Sequence, residues 1–261
     1  MAREKEALSS GPEGTGRLQD LRSTVSELTG QSEVLNPNSV EVRFGDPMKD
    51  APRLLQLYTQ PSTVEHLEGI VPMPYKEIVI ETDSVTQEKR EIETGKEIPA
   101  TTVGDIRKMY ENPRITLLMA ETPKGLIVGS CAVEKLSPNV AEIGKLVVAR
   151  NYRRKHIGNM LIGNSNAFIF REGSGGLDCR LSQIFVIIGI PSYHIAQDAF
   201  AKAGYLRQGE RQESTRSWSN DLGRVVDRNS QPMTLQRESY KILFPGAHEI
   251  DFPKQRLPKA T

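Results

Sequence analysis

Between residues 40 and 205 the period of the apolar positions changes repeatedly, and each change predicts an element. Val40-Glu-Val-Arg-Phe44 alternates apolar and polar side chains, the period of a half-buried strand. Pro47 opens a helix that gathers Ala51, Leu54, Leu55 and Tyr58 on one face. A second, shorter helix is predicted after Pro61, from Thr63 to Ile70. Residues 72–100 are less regular: Glu77–Thr82 reads as a strand, and the charge-rich Gln87–Ile98 stretch as a hairpin end or a surface insertion. Thr101 or Thr102 supplies the cap of a helix running to Tyr110, stopped before Asn112-Pro113.

From there the pattern sharpens. Arg114–Glu121 and Leu126–Leu136 read as two strands of a hairpin turned at Thr122–Gly125. Pro138-Asn139 leads into a third strand ending at Val148, and a helix follows over about His156–Arg171, closed by Gly173–Gly176. Leu181–Ile190 is nearly continuous in apolar residues, the pattern of a strand buried on both faces. Pro191 and Ser192 open a helix to Ala203 with Ile195, Ala199 and Phe200 inward and Gly204 as its stop. Tyr205 begins another strand, residues 207–232 are polar and carry the single tryptophan, Trp218, and Met233–Phe244 is predicted as a closing strand. This order predicts a mixed α+β fold, a mostly antiparallel sheet with helices on both faces.

The flanks differ in composition. Residues 1–38, rich in Ser, Gly, Glu and Thr, are expected to be a disordered tail. Leu18, Leu21, Val25 and Leu28 recur there at helical spacing, as a nascent helix or as a docking helix for a partner. The expected organisation is therefore a tail over 1–38, a domain over 39–244 with an insertion around 72–100, and an extended surface chain over 245–261.

Charge narrows the function. With 34 Lys and Arg against 33 Asp and Glu, the formal charge is +1. No global field draws this protein to nucleic acid or to an anionic membrane. No stretch reaches the 18 consecutive apolar residues of a membrane span. Met-Ala-Arg-Glu-Lys-Glu has no apolar core behind it, unlike a secretory signal. Cys131 and Cys179 lack metal-like spacing and read as isolated thiols in a reducing interior, so the expected location is cytoplasmic. His66 and His248 have no visible partners, and four scattered histidines assemble no metal set.

One stretch concentrates chemistry. Ala141–Ile162 runs from an apolar strand through a cationic turn into a helix, an arrangement that presents backbone N–H groups and basic side chains to a phosphate. On the residues alone, the turn also fits a solvated basic surface, or a small nucleic-acid patch with Tyr152 stacking. The spacing Arg153-x-x-His156-x-Gly158 resembles the Arg/Gln-x-x-Gly-x-Gly/Ala pyrophosphate loop of GNAT acetyltransferases. Ala196–Tyr205 resembles that family's second signature, a helix ending in aromatic-x-Lys-x-Gly-aromatic. The two signatures are joined by one helix and one strand, as in the family, and the resemblance spans about Val40 to Tyr205.

The resemblance implies the GNAT acyl-CoA N-acyltransferase fold, acetyl-CoA as co-substrate with no metal, and transfer of an acetyl group to an amine by direct attack in a ternary complex. It implies that backbone N–H groups of Leu146, Val147 and Val148 face the acetyl oxygen and the pantetheine arm. It assigns the diphosphate to the turn and helix start, Arg153, Arg154, Lys155, His156, Ile157, Gly158 and Asn159. Gly144 would allow a local irregularity in the strand. Glu142, eleven residues before Arg153, stands where some members carry a strand glutamate acting as general base. His156 replaces the usual first glycine, and Phe200 replaces the tyrosine that many members use to protonate the thiolate. Tyr193 and His194 are the nearest alternatives for that acid. The implied partner is a small-molecule or peptide amine, entering within a wall of the first two helices and residues 72–100, where Glu77, Glu81 and Asp83 either attract a cationic amine or face solvent; membrane and nucleic acid are not expected, and a homodimer is left open. Two rivals are a non-catalytic acyl-CoA- or protein-binding module of the same shape, which His156 and Phe200 favour, and transfer of a longer acyl chain along the apolar run Phe185–Ile190.

Overall fold

A computed structural model describes residues 39–84, 86–173, 175–188, 190, 193–208 and 213–245, the side chains of Glu213 and Ser214 excepted. In chain order the elements are β1 (Glu41–Phe44), α1 (Pro47–Tyr58), a 3-10 turn (Val64–His66), β2 (Tyr75–Thr82), β3 (Lys89–Ile98), α2 (Val103–Tyr110), β4 (Ile115–Glu121), β5 (Ile127–Lys135) and β6 (Val140–Val148). A second 3-10 turn (Arg150–Tyr152) leads to α3 (Ile157–Phe170), β7 (Leu181–Ile187), α4 (Tyr193–Lys202), β8 (Leu206–Arg207), β9 (Glu213–Ser219), β10 (Arg224–Gln236) and α5 (Arg237–Leu243). The main sheet has the order β1-β4-β5-β6-β7-β10-β8 with β9 on β10, while β2 and β3 form a separate hairpin. Every pairing is antiparallel except β6 with β7. The fold is the mixed α+β arrangement that the alternation predicts.

Strand alternation divides two cores. On β4, Leu118 and Ala120 face a cluster with Ile157, Leu161 and Phe168 of α3 and Phe200 of α4. Leu117 and Met119 turn to the other face, against Leu54, Leu57 and Tyr58 of α1, Ile106 of α2 and Trp218 of β9. Local chemistry fixes the helix starts. Asp46 caps α1 by accepting from the Met48 and Lys49 amides, and Thr102 with Asp105 forms a reciprocal capping box on α2.

Beside the first cap lies a closed ionic cluster. Asp50, 1% exposed, accepts from Arg43 at 2.9 and 3.0 Å, from Arg53 at 2.6 Å and from the Asp46 amide at 2.8 Å. Glu121 completes it, paired with Arg43 and with Arg53 at 2.9 Å. Burial pushes the Asp50 carboxyl up, but the hydrogen bonds from Arg43, the Asp46 amide and Arg53 together outweigh it and hold the group down at about 2.

Several predicted elements take other forms. The helix predicted over Thr63–Ile70 is a single 3-10 turn, because Thr63 spends its hydroxyl on the Leu57 carbonyl (2.5 Å) and Gly69 adopts a left-handed φ of 73°. The closing strand predicted over Met233–Phe244 ends at Gln236, where α5 begins, and its front half reaches back through the polar segment to Arg224. β7 is shorter than its apolar run: Ser182, Ile184 and Val186 are buried on one face, while on the other Ile187 is buried and Leu181, Gln183 and Phe185 are partly buried. Ile195 of α4 is 65% exposed rather than inward. The strand predicted at Glu77–Thr82 lies within β2, and the Gln87–Ile98 stretch supplies β3, the second strand of a hairpin with it. The predictions for residues 1–38, and for the tail beyond 245, fall outside the described residues. Among the described residues no helix is long and apolar enough to cross a membrane.

Candidate active site

The gap between β6 and β7 organises the site. The two strands pair only over Val140–Glu142 with Leu181–Gln183 and then part. Each is held from its outer side: β5 follows β6 to Val148, and β10 follows β7 to Ile187. Within β6 the register with β5 slips between Gly144 and Val147, a bulge at which Lys145 takes a φ of 50°. A bulge increases local twist and re-aims the strand, which opens the seam. The sequence pointed to Gly144 for this irregularity; the left-handed residue is its neighbour.

A cavity of about 440 Å³ threads the gap and is lined from both faces of the sheet. Ile143, Ile184, Val186, Ile190, Ala196 and Phe200 give an apolar side next to α4. His66, Glu68, Tyr110, Glu134, Glu142, Lys145 and Thr215 give a polar side. Leu146 lies at the bulge and lines the cavity as well. The amide of Ala149 donates to Val128, so the alternation of an antiparallel ladder turns the Val147 amide toward Ser130 and the Val148 amide toward the gap.

The polar side is unevenly charged. Glu142 is partly buried and accepts from Gln183 Nε2 at 3.1 Å, across the last pair before the strands part. Lys145 Nζ donates to the Glu68 carbonyl at 3.1 Å. Its pKa is lowered by burial, which outweighs the carboxylates of Glu68, Glu142 and Glu134. Burial, then the guanidinium of Arg153, pushes the His66 imidazole down to about 4, with the Ser62 carbonyl opposing, so His66 is neutral at pH 7. Behind Tyr110 runs a buried hydroxyl chain, Tyr110 to Tyr58 at 2.5 Å and Ser130 to Tyr58 at 3.1 Å.

At the other end of β6 the chain turns tightly into α3. Arg154 and His156 have φ of 61° and 60°, and His156 is the N-cap residue. Glycine would be the relaxed residue at that place, since a β-carbon in the left-handed region costs roughly 1–2 kcal/mol. No side chain caps α3, and its first internal bond joins the Met160 amide to His156, so the amides of Ile157, Gly158 and Asn159 open outward. A Cβ on Gly158 would meet nothing closer than Val148, at 3.9 Å. Arg154, His156 and Asn159 are exposed, and Lys155 lies over the Tyr152 ring at 5.5 Å. Arg153 differs from its neighbours: its guanidinium is turned inward, donating to Val148 O at 3.0 Å and to the Ser62 carbonyl.

Neither Tyr193 nor His194 lines the cavity. The Tyr193 hydroxyl accepts from Gln197 at 2.9 Å, and His194 is exposed against the Tyr193 ring. Phe200, which does line it, stacks edge-on against Tyr205. Glu77, Glu81 and Asp83 sit on the exposed hairpin and its turn, away from the cavity; its acidic side comes instead from Glu68, Glu134 and Glu142. Cys131 is buried 3.1 Å from Ser165 Oγ with its thiol pushed up to about 12 by burial, and both cysteines are unbridged. Among the described residues no three His, Cys, Asp or Glu group to hold a metal ion.

Comparison with known proteins bears on this geometry. No curated protein matches the chain in sequence. The fold is similar to that of spermidine N-acetyltransferase from Vibrio cholerae in complex with CoA and spermine, with a TM-score of 0.54 at 11% identity, over 78% of this chain and 98% of that one. It is similar as well to a dodecameric form of the Vibrio cholerae enzyme in an intermediate state, with a TM-score of 0.50 at 12% identity, over 78% and 96%. At such identities the likeness shows the fold alone. The family model described as "Acetyltransferase (GNAT) family" matches residues 83–181, from the end of β2 through the first residue of β7. That match takes in the segment that holds β3 to β6 and α3, and the similarity in fold to the solved N-acetyltransferases extends beyond it.

Proposed function

We propose that this protein, in the cytoplasm, transfers an acyl group, acetyl in the first instance, from acyl-CoA to a cationic amine by direct attack in a ternary complex. The observation that carries the reading is a cavity lined from both faces of the sheet, apolar on one side and acidic on the other. A thioester entering from the apolar side meets an amine entering from the acidic side without either crossing the sheet.

The outward amides of Ile157–Asn159 take the diphosphate, with Arg154 and Lys155 adding charge. Arg153 holds the turn in place through the Val148 and Ser62 carbonyls and is a positioning residue. The Val148 amide, with Leu146 beside it, aims at the thioester carbonyl, where a preorganised donor stabilises the oxyanion. Glu142, oriented by Gln183, accepts the proton of the attacking amine. Glu68, Glu134 and Glu142 outnumber Lys145 and favour a cationic acceptor, in keeping with the polyamine bound by the Vibrio cholerae enzyme. Solvent protonates the departing thiolate, since Tyr193 and His194 do not line the cavity and Phe200 has no proton to give.

Initial-rate kinetics tests this. A polyamine or other cationic amine as acceptor should give intersecting double-reciprocal lines with acetyl-CoA; parallel lines would point to a covalent acyl-enzyme and overturn direct attack. A second reading is favoured by Phe200, which places no acid on the cavity wall: the domain binds acyl-CoA without turnover. Thermal stabilisation by acetyl-CoA without thiol release on any cationic amine would select it.

A further inference from the structure

The bulge in β6 carries an amine into the cavity. Its left-handed backbone takes Lys145 out of the strand's alternation, and Nζ reaches the Glu68 carbonyl at 3.1 Å on the acidic side. A non-glycine residue persists in such a conformation only when its surroundings impose it. Among the described residues no other lysine lines the cavity, and its neighbours there include the proton acceptors Glu134 and Glu142 and the neutral His66. Three carboxylates would ordinarily hold an ammonium charged, yet burial wins and lowers the Lys145 pKa. A lysine of ordinary pKa, about 10.4, is neutral in roughly one molecule per thousand near pH 7.4, and each unit of depression multiplies that fraction about tenfold. Chemically, this residue is an acceptor amine covalently tethered at the acceptor's side of the cavity.

We propose that Lys145 is a self-acylation site, its Nζ taking the acyl group of a bound acyl-CoA when no free amine is present. The ammonium first gives one proton to a neighbouring carboxylate or to solvent. The Nζ lone pair then attacks the thioester carbonyl carbon; the C–N bond forms and the C–S bond breaks with its electron pair on sulfur. The nitrogen sheds a second proton, and the thiolate takes one up. The balance is one ammonium and one thioester converted into one amide, one free thiol and one proton, with no oxidant or reductant required. Acylation removes the single cation among Glu68, Glu134 and Glu142 and places a neutral amide where a free amine would stand, so tethered and free amines compete for one acyl group.

This inference rests on acyl-CoA occupying the gap, and the test separates the two claims. The full chain is incubated with acetyl-CoA at pH 8 and its peptides are analysed by mass spectrometry, while calorimetry on the same preparation reports acetyl-CoA binding. The expected result is acetylation of Lys145 at least about tenfold faster than the mean of the other lysines, because the tethered amine meets the bound thioester at high effective concentration. Excess CoA should suppress that labelling and leave surface lysines unaffected, and Lys145→Arg should remove this one acetyl group while still binding acetyl-CoA. Binding by calorimetry with Lys145 labelled no faster than the surface lysines would overturn self-acylation and leave acyl transfer standing. No binding would overturn both.

Discussion

Two clusters of charge in this molecule have nearly the same ingredients and opposite designs. At the joint of β1, α1 and β4, Asp50 and Glu121 face Arg43 and Arg53: two carboxylates and two guanidinium groups, closed on one another. Asp50 is 1% exposed and has four donors on its two oxygens. On the polar side of the cavity, Glu68, Glu134 and Glu142 face one lysine, and all of them border open space. The first cluster is balanced and has nothing left to bind. The second holds more anion than cation, and an incoming ammonium would complete it. Charge alone therefore does not distinguish the two clusters; imbalance beside a cavity does.

The contrast can be broken from either side. The largest effect is expected in the open cluster: Glu142→Gln should lower kcat roughly 10²–10⁴-fold with acetyl-CoA affinity unchanged, measured by thiol release and calorimetry. A normal rate and an unaltered pH–rate profile would remove Glu142 from the mechanism. In the closed cluster, Asp50→Asn should cost about 3 kcal/mol of stability in denaturant unfolding, because two guanidinium groups then share a single carboxylate. Acetyl-CoA affinity of the folded variant should not change.

Acid separates the clusters further. Both Asp50 and His66 have folded pKa values below their ordinary ones, so the folded protein binds fewer protons than the unfolded chain and loses stability as pH falls. For His66 the loss runs from about pH 6.5 to 4, and for Asp50 from about 3.8 to 2, where it amounts to roughly 2–3 kcal/mol. His66→Gln should flatten only the upper window and Asp50→Asn only the lower, in stability curves taken across pH. Smaller still is Tyr193→Phe, for which turnover is expected to be unchanged; a marked loss of kcat would restore Tyr193 as the acid. Smallest is His156→Gly: relief of the left-handed β-carbon and the added chain entropy of glycine nearly cancel, leaving stability within about 1 kcal/mol.

Much of the scaffold was legible from period and punctuation. β4, β5 and β6 announce themselves by alternation and by turns at Thr122–Gly125 and Pro138-Asn139, and α3 by its switch of period after the basic turn. What failed has local causes. Nothing in Met233–Phe244 breaks the chain between Gln236 and Arg237, so strand and helix read as one run. Thr63–Ile70 has apolar residues enough for a helix, but a backbone-seeking threonine and a left-handed glycine stop it after three residues. The turn into α3 was readable as a turn because it is built from consecutive residues. The inward course of Arg153 was not readable, because it depends on Ser62, far away in sequence. The acidic side was not readable either: Glu68, Tyr110, Glu134, Lys145 and Thr215 come from separate segments and share no spacing.

The central claim is that a CoA thioester lies in the gap where β6 and β7 part. Calorimetric titration of the folded chain with acetyl-CoA tests it most directly. Saturable uptake of one acetyl-CoA per chain, abolished by prior saturation with CoA, is the predicted result; no uptake of acetyl-CoA or any longer acyl-CoA by the folded protein would contradict it.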